Sequence, residues 1–133
     1  MTGVPELLLD TTVLIDALRG RAAADRLSVL AASASAPYVC AVNVEELWRG
    51  IRREEEAALR RLLRGLRIAP LAREEGELAG RWRRDYARRG VTLSQADCLI
   101  AAAAVSVGAR LATGNPKDYP MREVTVEHWP IGA

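Results

Sequence analysis

The sequence predicts an α/β domain built on a parallel sheet with helices on both faces. Three observations predict it. Short apolar segments alternate with stretches of helical apolar spacing along nearly the whole chain, the order that makes parallel crossover units. The first apolar segment, Leu7-Leu8-Leu9, shows no alternation, which suits a strand buried on both faces. It stops at Asp10, after which Val13, Leu14, Ala17 and Leu18 fall on one helical stripe ending at Gly20. Asp10 is therefore expected at the carboxyl end of a central strand, the edge where open parallel sheets bind ligands. An Asp there is also a good helix N-cap, although Thr11 or Thr12 can fill that role.

The remaining elements follow in order. Arg21 to Ser33 carries Ala24, Leu27, Val29 and Leu30 at helical spacing, and Ser35-Ala36-Pro37 breaks it. Tyr38 to Val42 is β-branched and aromatic and is expected as a strand; Asn43 then caps a helix running to Gly50. Between Arg53 and Arg64, Glu54, Glu55 and Glu56 precede Arg60, Arg61 and Arg64, the order that complements a helix dipole. Leu66 to Leu71 is a short strand closed by Pro70. In the helix from Arg73 to Arg89, Leu78, Trp82 and Tyr86 repeat every four residues as the apolar stripe. Arg81, Arg83, Arg84, Arg88 and Arg89 form its charged side, either a solvated face or a surface for RNA or a partner. Ser94-Gln95-Ala96-Asp97 opens an apolar helix to Val107, stopped by Gly108. Ala109 to Thr113 is a strand, Gly114-Asn115-Pro116-Lys117-Asp118 a polar loop or one-turn helix, and Val124 to Val126 a last strand.

A chain of 133 residues can bury one core, so residues 1–133 are expected to form a single domain. The net charge of +2 is small, and Lys117 is the only lysine, so any polyanion would meet planar, bidentate guanidinium groups. No basic leader or membrane-length apolar run is visible, which predicts a soluble, cytoplasmic protein with no membrane contact. Cys40 and Cys98 lie in apolar surroundings and are expected as buried thiols. With His128 the single histidine, a His-paired nucleophile or a zinc cluster cannot be assembled.

Asp10, Glu46 and Asp97 thus stand at three junctions that lead into helices. Asn43 and Ser94 precede Glu46 and Asp97 by three residues, so both acids could merely close capping boxes. Capping does not explain three acids at the same kind of edge. Clustered carboxylates repel unless a hard cation sits between them, and Mg²⁺ or Mn²⁺ prefers oxygen ligands.

Four segments carry a resemblance to the PIN-domain nucleases, and within them to the VapC-type toxins of bacterial toxin–antitoxin pairs: Leu8 to Asp16, Val42 to Gly50, Ala96 to Ala102, and Leu111 to Asn115. They occur in family order over nearly the whole chain. The resemblance implies a three-layer α/β/α sandwich on a parallel sheet, Mg²⁺-dependent endoribonuclease activity on RNA, a homodimer, and inhibition by a small antitoxin protein. It places Asp10, Glu46 and Asp97 among the metal-binding acids, with Thr11 and Thr113 as hydroxyl neighbours. Glu46 is preferred over Glu45 because the family pattern sets its acid directly before a Leu, here Leu47. Many relatives carry a further acid where this chain has Asn115, and Asp118 is near enough in sequence to substitute. The apolar residues around Trp48 and on the Ala101 to Ala104 helix are expected either as a site of association or as core. Phosphatases of the haloacid-dehalogenase type need a second Asp where Thr12 stands, and receiver domains need adjacent acids at the first strand, so neither fits.

Overall fold

The computed structural model describes residues 5–33 and 36–132. The break expected at Ser35 and the first four residues lie outside them. Five strands and six α-helices follow one another as β1 (Leu7–Leu9), α1 (Thr11–Leu18), α2 (Ala22–Ser33), β2 (Tyr38–Val39), α3 (Ala41–Gly50), α4 (Glu56–Arg64), β3 (Arg67–Ile68), α5 (Arg73–Arg88), α6 (Gln95–Ser106), β4 (Arg110–Thr113) and β5 (Val126–His128). Every pairing is parallel, and the strand order is β3-β2-β1-β4-β5.

That order places β1 in the middle, with the chain working outward through β2 and β3 on one side and through β4 and β5 on the other. The direction reverses between β1 and β4. In an open parallel sheet, the carboxyl ends of the strands flanking such a reversal frame a crevice. Leu9 pairs with Ala112, so Asp10 and Thr113 come out at that crevice side by side.

Side-chain alternation on β1 and β4 splits the core in two. Leu8 and Leu111 join the apolar cluster formed with α5 and α6, which holds Ala79, Trp82, Cys98 and the fully buried Ala101–Ala104 run. Leu7, Leu9 and Ala112 point the other way, into a cluster with Val13, Leu14, Ala23, Leu47 and Leu59 from α1 to α4. Helices thus cover both faces of the sheet, in three layers. Leu78, Trp82 and Tyr86 carry α5 onto the first cluster as their spacing predicts. Ala101–Ala104 is interior, so it offers no association surface; its small side chains allow α6 to lie close against α5 and the sheet.

Several boundaries differ from the sequence expectation. The helix expected from Asn43 begins at Ala41, with Cys40 at its N-cap, and Asn43 stands inside the first turn, where its Oδ1 accepts the Cys40 N–H at 2.8 Å. β2 therefore ends at Val39. The Arg53–Arg64 segment starts with a 3-10 turn, Arg53–Glu55, and becomes α-helical at Glu56. The last strand lies two residues later than expected, because Val126 to His128 are the residues that find partners on β4. Gly20 and Gly108 take φ values of 68° and 69° and end α1 and α6. At Gly108 the closing bonds run from Gly108 N to Val105 O and from Ala109 N to Ala104 O, a left-handed cap that a Cβ would strain.

Candidate active site

Asp10 stands at the carboxyl end of the central strand, as expected, and it also caps a helix. It is the N-cap of α1, its Oδ1 accepting the Thr11 N–H at 2.8 Å. Its other oxygen, Oδ2, accepts the Thr113 hydroxyl at 2.7 Å and the Thr12 hydroxyl at 3.3 Å. The carboxylate is 5% exposed, and Thr113 is fully buried, so this contact lies inside the protein.

Glu46 does not cap. Asn43, its supposed capping partner, is inside the first turn of α3, and the Glu46 Oε1 accepts the Thr11 hydroxyl at 2.7 Å instead. That same Thr11 oxygen accepts an N–H from buried Asn43 at 3.0 Å. Thr11 thus touches Asp10 with its backbone and Glu46 with its side chain. The neighbouring Glu45 is exposed and pairs with Arg49 one turn on, an ordinary helix-surface contact.

The hydroxyls share one pattern. Thr11 accepts from Asn43 and donates to Glu46; Thr113 accepts the Asn115 N–H at 3.0 Å and donates to Asp10; Thr12 accepts the Gly114 N–H at 3.2 Å and donates to Asp10. A hydroxyl carries one proton, so accepting an N–H aims that proton at the carboxylate and polarises it. Both carboxylates are oriented from behind by donors anchored in the fold.

Asp97 approaches from α6. Ser94 caps that helix by accepting the Asp97 N–H at 3.0 Å, as its position predicts. The Asp97 Oδ1 accepts the phenol of Tyr119 at 3.3 Å. Partial burial holds the Asp97 carboxyl above its ordinary range, and the charges of Asp10 and Asp118 push in the same direction. Tyr119 is 4% exposed and its phenol is raised far out of reach of neutral pH, first by burial and then by Asp10 and Asp97, so it stays a neutral donor.

The structure therefore gathers Asp10, Glu46, Asp97, Thr11 and Thr113 around the sheet's reversal point, but through hydroxyl spacers. Among the described residues, no three Asp, Glu, His or Cys side chains converge into a metal-binding group. Asn115 and Asp118 sit on the rim: Asn115 stands at the N-cap position before the 3-10 turn Pro116–Asp118, and its Nδ2 donates to Asp118 Oδ2 at 2.7 Å.

None of the ion pairs among the described residues includes Asp10, Glu46, Asp97 or Asp118. Among the described residues, no Arg or Lys side chain stands in ion-pair contact with them. An all-oxygen, anionic donor set without a cationic partner is the chemistry a hard divalent cation selects, so the donor types fit such an ion while the three carboxylates do not meet at one point. Cationic groups line α5 and its end. Arg83 donates its Nε to the Leu93 carbonyl at 3.2 Å, just before Ser94, and Arg81, Arg84, Arg88 and Arg89 are exposed on the same helix.

Two features escaped the sequence. The phenol on Asp97 had only the position of an aromatic after Asp118 to signal it. Asp16 is buried at 3% exposure, and its carboxylate accepts the Ala23 N–H at 2.8 Å and the Gly132 N–H at 2.9 Å. It joins α1, the start of α2 and the C-terminal tail. An acid in the last turn of a helix opposes the dipole, and that unfavourable position was the available signal. The thiols of Cys40 and Cys98 are free and buried; burial pushes Cys98 up to about 11, which leaves it a poor nucleophile.

Comparison with known proteins follows the same residues. The PIN domain family matches residues 7–124. Ribonuclease VapC10 from Mycobacterium tuberculosis is 36% identical over 121 residues, 88% of either chain. The solved structure of VapBC2 from Rickettsia felis, bound to a DNA fragment from their promoter, gives a TM-score of 0.81 at 22% identity and covers 92% of this chain and 98% of that one. A toxin–antitoxin complex from Klebsiella pneumoniae gives 0.73 at 24% identity, covering 93% and 99%.

Proposed function

Because the chain belongs to the PIN domain family, we propose that it is an endoribonuclease, the toxin of a toxin–antitoxin pair, hydrolysing RNA phosphodiester bonds at Asp10, Glu46 and Asp97. The observation that carries this reading is the oxygen-only acid group at the sheet's reversal point, held from behind by hydroxyls and matched by no Arg or Lys. Mg²⁺ is the cofactor, with Mn²⁺ able to replace it, and the three acids would hold it. When bound, such an ion offsets phosphate charge and lowers the pKa of a water ligand.

The chain's own groups do the rest. Thr113 and Thr12 fix the Asp10 carboxylate, and Thr11, itself held by Asn43, fixes Glu46, so these two acids are oriented before a ligand arrives, and binding one ion would draw the three carboxylates together. Arg83, Arg88 and Arg89, at the end of α5 that leads into the Asp97 helix, hold the RNA backbone beside the acids. Asn115 offers only a neutral oxygen, and Asp118 already accepts from Asn115, so both support the site from its rim.

A small antitoxin as inhibitor and a homodimer as the working form belong to this reading. The antitoxin is supported by likeness to the Klebsiella complex, which is described as toxin with antitoxin. Among the described residues no helix is long and apolar enough to cross a membrane, and RNA is the substrate proposed.

The experiment that tests the activity is incubation with total RNA. Cleavage is expected with Mg²⁺ or Mn²⁺ and is expected to stop when EDTA removes the ion. Equal cleavage in excess EDTA would overturn the proposed chemistry.

A further inference from the structure

Tyr119 follows the 3-10 turn Pro116–Asp118, and its ring packs in the cluster that holds Trp82, Cys98 and Met121. The ring alone would fill that space. Its hydroxyl, however, is buried with it, and a buried hydroxyl costs free energy unless it finds a partner. The partner is Asp97, through a 3.3 Å bond to Oδ1. The hydroxyls of Thr11, Thr12 and Thr113 reach Glu46 and Asp10, so among the described residues the phenol is the side-chain hydroxyl that meets the Asp97 carboxylate.

We propose that Tyr119 is a positioning residue for the cation site, its hydroxyl fixing the Asp97 carboxylate in the orientation it presents to a hard divalent cation. The proposal rests on the functional reading above. Asp10 is oriented by two hydroxyls from its own sheet edge, and Glu46 by one; Asp97 has Ser94 at its backbone and the phenol at its carboxylate. Without the phenol, Asp97 is the least constrained of the three acids. Partners behind a metal ligand typically change metal affinity by about 10- to 100-fold when removed.

The variant is Tyr119→Phe, which keeps the buried ring and removes only the hydroxyl. Mn²⁺ is titrated calorimetrically into the RNA-free parent and variant, thermal melting is recorded for both, and RNA cleavage is followed as Mn²⁺ is raised. The expected result is an unchanged number of sites, a Mn²⁺ Kd weakened by about tenfold, and half-activation at about tenfold higher Mn²⁺, with kcat at saturating Mn²⁺ close to the parent's. A variant that melts lower and binds less Mn²⁺ per chain at the parent's Kd would show a merely structural role and overturn the proposal. So would a variant that binds Mn²⁺ as the parent does. A parent that binds no Mn²⁺ would overturn the functional reading together with this inference, which separates that failure from the other two.

Discussion

The Asp97→Asn variant is expected to lose RNA cleavage by about 100-fold or more, the scale on which removal of one group that stabilises transition-state charge acts. At neutral pH it is also expected to melt at a higher temperature than the parent. The two effects have one origin. Asp97 is half-buried beside Asp10 and Asp118 with no Arg or Lys in ion-pair contact, an arrangement that favours a cation and penalises the apoprotein. Asn keeps the shape, still accepts the Tyr119 phenol through its carbonyl, and leaves Ser94 to cap the helix.

The pH dependence follows from the direction of the shift. Burial and neighbouring charge raise the Asp97 carboxyl in the folded state, so its contribution to stability is fully present below the ordinary aspartate range and is lost as pH rises through the raised folded value. The melting difference between Asp97→Asn and parent is therefore expected to be largest near neutrality and to vanish in acid. Melting curves from acid to neutral pH check it. Equal cleavage by variant and parent would remove Asp97 from the chemistry.

Asp16→Ala is expected to destabilise the fold by about 2–6 kcal/mol, because it leaves the Ala23 and Gly132 N–H groups without their acceptor, each such loss costing about 1–3 kcal/mol. Asp16→Asn retains one good acceptor and should fall between. Urea unfolding measures both. A loss below about 0.5 kcal/mol in Asp16→Ala, the scale of a surface substitution, would show that water replaces the carboxylate freely.

What the sequence disclosed and what it withheld have separate physical causes. Helical stripes are long enough to average over, so α1, α5 and α6 were legible in type and close in extent. Strands here are two to four residues long, and two of the boundaries depend on pairing: β5 lies where β4 offers partners, and β2 is cut short because Cys40 starts the next helix. Asn43 looked like an N-cap because Asn commonly is one. Its Oδ1 does return a bond to a helix start, but from inside the first turn, which frees its Nδ2 for Thr11 and so for Glu46.

The three acids were legible as strand-end or helix-start residues beside apolar runs. Their connections were not, since Thr11 meets Glu46 across 35 positions, Thr113 meets Asp10 across 103, and Tyr119 meets Asp97 across 22. No local periodicity carries such contacts; they arise from the tertiary arrangement, in which β1 lies between β2 and β4 and their following segments meet at one edge. Asp16 was hidden for the same reason, its second partner lying 116 residues away.

The measurement that bears most directly on a hard-cation site made by Asp10, Glu46 and Asp97 is calorimetric titration of Mn²⁺ into the RNA-free protein and its Glu46→Gln variant. The three acids carry three negative charges, which one divalent cation reduces to a single one, and Asn115 adds none. One firm site is expected in the parent, with any second filled weakly, and loss of the firm site is expected in Glu46→Gln while the fold persists. A Glu46→Gln variant that binds Mn²⁺ with the parent's affinity, or a parent with two equally tight sites, would contradict it.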